Sequence, residues 1–198
     1  MELPEPFTTS TTSLEEAISL RRSVRQYDNA PLTLQTLSQL LWAAQGSSST
    51  GQFRTAPSAG ATYPLQTYVV VGSVEEMEPG LYHYESKSHS LSLVKEGDLR
   101  DALSDASLKQ ASIAQAAISV LFAAIYARTT ETYGDRGQMY VHIDVGHAAQ
   151  NVLLQATALG LGSVPVAAFK TRAVAALLEL PEGQIPLYLI PVGAHRVD

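Results

Sequence analysis

Val141-His142-Ile143-Asp144-Val145-Gly146-His147-Ala148-Ala149-Gln150-Asn151-Val152-Leu153 is the centre of the stretch that decides the fold, residues 137–161. Read at 3.6 residues per turn, Val141, Val145, Ala148, Ala149, Val152, Leu153, Ala156 and Leu159 do not keep to one stripe but wrap most of the circumference. Such a helix has to be covered on more than one side, at a domain centre or at an interface between two copies. Gly160 and Gly162 stop it.

The segments on either side have mixed periods. Toward the C-terminus, Val164 to Ala167 reads as a short strand, Arg172 to Leu180 as a helix and Leu187 to Val192 as a last strand. Toward the N-terminus, Ile118 to Tyr126 and Tyr68 to Gly72 are continuous apolar, β-branched strands. Gly80 to Glu85 with Ser90 to Lys95 is a hairpin around a polar turn. Helices are expected near Asp98 to Ser104 and Leu108 to Ala116, and from Leu34 to Ala44, where Leu37, Leu40 and Leu41 share a face. Ser13 and Glu16 form a capping box for a helix from Leu14 to about Arg22. Residues 1–12 have no period and read as an extended arm outside the core. A hairpin and helices interleaved in this way predict an α+β domain rather than a regularly alternating parallel sheet.

The bulk numbers narrow the function. A chain of 198 residues without a polar linker predicts one domain. It is 45% hydrophobic and 16% charged, which leaves apolar surface to cover and favours an oligomer. A formal net charge of −6 disfavours nucleic acid as a partner. The absence of cysteine excludes disulfides, thiolate metal sites and a cysteine nucleophile. Neither a signal-peptide pattern nor a spanning apolar run is present, so a cytoplasmic protein without a membrane partner is expected.

Against this acidic background, Arg21-Arg22-Ser23-Val24-Arg25-Gln26-Tyr27 packs three guanidinium groups and a hydroxyl into five residues. Arginine forks take phosphate oxygens two at a time, so the cluster suits a phosphorylated cofactor. The plainer alternative is a solvated helix end whose arginines pair with Glu15, Glu16 and Asp28. From Gln45 to Thr62 the chain is rich in Gly, Ser and Thr, a loop whose small side chains let backbone amides approach a ligand.

Other signatures fail. Gly160-Leu161-Gly162-Ser163-Val164-Pro165 begins like a dinucleotide fingerprint, but Pro165 stands at the third glycine and a helix precedes it instead of a strand. Ser58 lacks a nucleophile elbow, since Ala56 takes the first glycine position. His142 and His147 are five residues apart and diverge on a helix, so no metal site is expected, and His147 reads as a core histidine.

Taken in order, Arg21 to Tyr27, Pro57-Ser58-Ala59-Gly60-Ala61-Thr62-Tyr63-Pro64, Asp144 to Asn151, Gly160-Leu161-Gly162 and Pro191-Val192-Gly193-Ala194-His195-Arg196 resemble the FMN-dependent nitroreductase family, and among its subgroups the SagB-type dehydrogenases. The resemblance covers nearly the whole chain. It implies a central, mostly antiparallel sheet flanked by helices, and an intertwined homodimer with FMN in each of two interface sites. It assigns Arg21, Arg22, Ser23 and Arg25 to the phosphate and ribityl chain. It assigns Pro57, Ser58, Ala59 and Gly60 to the flavin of the other subunit, Pro165, Val166 and Ala167 to the isoalloxazine, and His195 and Arg196 to the phosphate. No acid–base dyad is implied, because the flavin carries the chemistry.

The implied activity is reduction of small electrophiles such as nitroaromatics or quinones by NADH or NADPH, with ping-pong hydride transfer through flavin N5. Alternatives are a SagB-type dehydrogenase that oxidises a thiazoline or oxazoline, and a non-catalytic flavin-binding protein. Azole-forming members carry a lysine before a tyrosine that matches Tyr133, the one candidate for a catalytic side chain, and here that lysine is Thr132. Loss of the best base for ring oxidation favours the reductase.

Overall fold

The computed structural model describes residues 1–48 and 53–195. Its centre is a six-stranded sheet in the order β3-β2-β1-β4-β6-β5, with β1 Leu65–Val71, β2 Gly80–Glu85, β3 Ser90–Glu96, β4 Ile118–Ala124, β5 Leu161–Ser163 and β6 Ile185–Ala194. All five pairings are antiparallel. The helices are α1 Leu14–Leu20, α2 Leu34–Gln45, α3 Arg100–Ala106, α4 Ala111–Gln115, α5 Ala127–Tyr133, α6 Arg136–Ala158 and α7 Thr171–Leu177. The α+β architecture is the expected one.

Both faces of the sheet are buried, and the alternation of side chains along each strand sorts them. Val69 and Val71 of β1 and Val120 and Phe122 of β4 face the layer of α2 and α6, together with Leu37, Leu41, Val145, Val152 and Ala156. Tyr68, Val70, Leu121 and Ala123 face Leu103 of α3, Ile113 of α4, Val174 of α7 and Leu178 at its C-cap. Double coverage explains why β1 and β4 read as unbroken apolar runs, a pattern more usual in parallel sheets. Within α6, Val141, Val145, Ala148, Ala149, Val152, Leu153 and Ala156 are buried, while Met139, Ile143 and, just past the helix, Leu159 stay exposed.

Three expectations need correction. The strand expected over Val164–Ala167 lies instead at Leu161–Ser163, so Gly162 pairs in the sheet, while Gly160, at φ of +70°, follows the end of the long helix as expected. Pro165 has no N–H to offer a ladder, and only Val166 keeps an isolated bridge, to Leu189. The helix expected to reach Arg22 ends at Leu20, and the chain beyond it is extended. The N-terminal arm is not wholly outside the core. Met1 and Leu91 exchange backbone bonds at 2.6 and 2.8 Å, Leu3 N–H donates to His89 O at 3.1 Å, and the Leu3 side chain is 8% exposed. No helix among the described residues is long and apolar enough to cross a membrane.

Candidate active site

The arginine segment is laid down as an added strand. Arg21 caps α1, its N–H donating to Ala17 O at 3.0 Å, and Ser23 then pairs in parallel with Ser163 of β5, where Val24 N–H donates to Ser163 O at 2.9 Å. Further along, Asp28 N–H donates to Ala194 O at 2.8 Å. The Tyr27 hydroxyl lies 2.8 Å from Val24 O and 3.2 Å from Pro191 O, which ties the segment to β6. Burial pushes the Tyr27 phenol up, against the opposing pull of Arg25, so this tie is a neutral hydroxyl. The approach is close enough to demand Gly162. A Cβ there would stand 2.7 Å from Val24 Cγ1 and 2.9 Å from His195 Cδ2.

This brings Arg21, Arg22, Ser23, Arg25 and His195 to one edge of the sheet. Arg21 and His195 are half-buried, whereas Arg22, Ser23 and Arg25 are exposed. Arg22 Nη1 donates to the carbonyls of Ser19 and Arg21, both at 2.9 Å. Among the described residues the ion pairs do not include the three arginines, so the expected pairing with Glu15 or Glu16 does not form. Arg196 lies outside the described residues.

The Pro57–Gly60 loop is anchored elsewhere, by Asp144 of α6. Ser58 Oγ donates to Asp144 Oδ2 at 2.6 Å and accepts from Tyr63 N–H at 3.0 Å, while Ala59 N–H donates to Asp144 Oδ1 at 3.3 Å. Asp144 is 4% exposed and occupies the same helix face as Val141, Val145 and Ala148, so its oxygens have to be satisfied, and the loop does it. At the loop's crest Gly60 takes φ of +57°, and a Cβ would sit 2.4 Å from the Tyr133 hydroxyl oxygen. Tyr133 therefore stands against this loop, at the end of α5, 37% exposed and edge-on to Tyr140 at 5.2 Å.

Two more arginines fix the loop's far end. Arg54 lies over the Tyr63 ring at 4.8 Å and donates to Gln45 Oε1 at 2.7 Å, and Arg128 of α5 donates to Tyr63 O at 3.0 Å. Burial lowers the pKa of Arg54, opposed by Tyr63. From Asp144 to Ala158 the helix rises about 21 Å. The loop is anchored at the first of these positions, while the arginine segment is anchored on β5, beyond the second. Within one chain the two groups are held apart.

Of the remaining expected residues, Pro165 is half-buried and Ala167 exposed, but the Val166 side chain packs in the core of the α7 face, and its N–H and C=O both bond Leu189, at 2.8 and 2.9 Å. His147 is exposed, contrary to the expectation of a core histidine, because it lies on the uncovered side of α6, while His142 bonds the Tyr126 hydroxyl at 2.6 Å. Asp144, Arg54 and Arg128 were not among the expected site residues. A signal existed for Asp144, since an acid within an apolar stripe needs a partner, but its partner is 86 residues away in sequence.

Comparison with known proteins adds four findings. The Nitroreductase family model matches residues 18–194. A candidate nitroreductase of Methanocaldococcus jannaschii is 49% identical over 180 residues, covering 91% of this chain and 90% of the relative. Among solved structures, a candidate nitroreductase of Ralstonia eutropha JMP134 superposes with a TM-score of 0.86 at 31% identity, over 99% of this chain and 89% of the other. The NADPH:FMN oxidoreductase of Vibrio harveyi, solved with NAD+, shares the fold at a TM-score of 0.67 and 22% identity, over 93% of this chain and 69% of its own.

Proposed function

The chain belongs to the nitroreductase family of oxidoreductases, and on that premise we propose that it is a cytoplasmic, single-domain, FMN-dependent enzyme that uses NADH or NADPH to reduce small electrophiles such as nitroaromatics and quinones. The observation that carries this reading is the arginine segment. Three guanidinium groups without an ion pair among the described residues, fixed on a sheet edge beside Ser23 and His195, form a donor set that fits a phosphate dianion. FMN, when bound, supplies the hydride chemistry.

The residues of the chain hold and orient. Arg21, Arg22, Ser23 and Arg25 would grip the phosphate end, with His195 and Arg196 closing on it. Pro57, Ser58, Ala59 and Gly60, kept rigid by Asp144, would approach the ring of the other copy's flavin, and Pro165 and Ala167 would border it on their own side. This division needs two chains, because one chain holds its loop and its arginine segment apart. An intertwined homodimer would also cover Met139 and Ile143 of α6 and Leu159 just past it, which are exposed in the single chain. Tyr133, against Gly60, presents a phenol that can donate a proton to the reduced substrate. Oxidation of an azoline ring is the weaker reading, since Thr132, exposed on α5, offers no base.

Two measurements test this. The purified protein should release FMN on denaturation, and finding FAD, or no flavin after reconstitution, would contradict the proposal. Titration of apo-protein with FMN at one salt concentration should give an Arg21→Ala dissociation constant raised about ten- to a hundredfold, from the loss of a charged hydrogen bond. An unchanged constant would return Arg21 to the solvated helix end.

A further inference from the structure

In an acidic chain, six of the nine arginines fall into two groups that pair with no carboxylate among the described residues. The first is the segment assigned above to phosphate. The second, Arg54, Arg128 and Arg136, comes from three separate parts of the chain and converges on the Pro57–Gly60 loop through aromatic rings. Arg54 covers the face of Tyr63, and Arg128 holds the backbone carbonyl of the same tyrosine. Arg136 lies 5.7 Å over the Tyr140 ring with Nε donating to its hydroxyl at 3.1 Å, and Tyr140 in turn packs edge-on against Tyr133, which touches Gly60. Acidic groups stand nearby, and Glu85, bonded by His83 Nδ1 at 2.8 Å, also acts on Arg54 through space. Glu131 and Asp135 are exposed and form no ion pair among the described residues, so neither takes up a guanidinium donor.

We propose that Arg128 and Arg136, backed by Arg54 and set among Tyr63, Tyr133 and Tyr140, form a recognition surface for planar substrates that carry a negative charge. The proposal rests on the flavin reading of the Pro57–Gly60 loop, since it is that loop which puts the tyrosines at the reacting ring. The chemistry is complementary on both counts. Tyrosine rings stack on a planar substrate, and Arg136, seated over Tyr140, and Arg128, held by the Tyr63 carbonyl, keep donors in reserve for a carboxylate or phosphate. Arg128 and Arg136 are exposed and use one donor each within the protein. Arg54 is partly buried and contributes field more than contact.

The experiment compares 4-nitrobenzoate with 4-nitrobenzamide, equal in shape and different in charge, on the flavin-loaded protein at low and high salt. The kcat/KM ratio should favour the carboxylate at low salt, and the advantage should shrink as salt rises. Arg128→Gln and Arg136→Gln should each lower the ratio about three- to tenfold. Arg172→Gln, the same charge change on α7, should leave it in place. Because Arg128→Gln also removes a bond to the loop, Arg136→Gln, whose hydrogen bond is to the Tyr140 hydroxyl, decides the case if the former fails to fold. A wild-type ratio near one, or a ratio untouched by either variant, overturns the proposal.

If neither compound turns over, the reductase reading fails by itself, and calorimetric titration with benzoate and benzamide then decides the surface. Benzoate binding that Arg136→Gln weakens supports it. Equal binding of the two ligands, or of neither, overturns it.

Discussion

Asp144 shows how a single residue can set the position of a loop far from it in sequence. Its carboxylate is buried in an apolar helix face, and both oxygens are taken by the Ser58–Ala59 turn. Removing one partner of a buried charged hydrogen bond costs more than the bond is worth, because the group left behind is desolvated and unpaired. Asp144→Ala is therefore expected to lower the unfolding free energy by about 1.5–3 kcal/mol in urea titrations. Combined with Ser58→Ala, the loss should fall short of the sum of the single effects by about 0.5–3 kcal/mol, the signature of a shared interaction. Strict additivity would mean that the loop is held by something else. Gly60 is the complementary case. Its positive φ was foreshadowed by a glycine in a small-residue loop, but the tyrosine that fills the space beside it comes from a helix the sequence did not reveal.

At the level of elements, segments with one strong period were legible and segments whose structure depends on a distant partner were not. The hairpin, α2, β4 and the long helix are found close to where their patterns put them. The α5 helix was missed, because Ala127–Tyr133 is a polar run whose order comes from Thr129 meeting Thr62 at 2.8 Å and Arg128 reaching Tyr63. The β5 strand was displaced because Leu161–Ser163 is too short to show a period and pairs only by virtue of β6 and the arginine segment beside it. The same blindness affected the arm, where proline and acids hid the role of Leu3. With that side chain buried and its strand bonded to β3, Leu3→Ala should cost about 2–3 kcal/mol, the lower part of the range for buried leucines. Urea unfolding checks it, and a change below about 0.5 kcal/mol would restore the arm to the periphery.

For the whole molecule, the long helix holds apart two groups that the proposed function assigns to one cofactor. The arginine segment and the site's chemical character were readable in the sequence because charge is local and arginine is always charged. Their separation was not, since it follows from where Asp144 and Ser163 anchor each group along α6 and β5. The account predicts a site completed by two copies, which subunit mixing tests most directly. Two variants are prepared, Arg21→Ala with an intact loop and Gly60→Val with intact arginines, each expected to bind FMN weakly. When they are unfolded together and refolded, every mixed dimer should contain one site with both defects and one with neither. Tight FMN binding should then reappear at about one site in four for random pairing of a twofold dimer. Mixing that restores no tight binding, although mixed dimers are present, would show that each chain builds its site alone and would contradict the account.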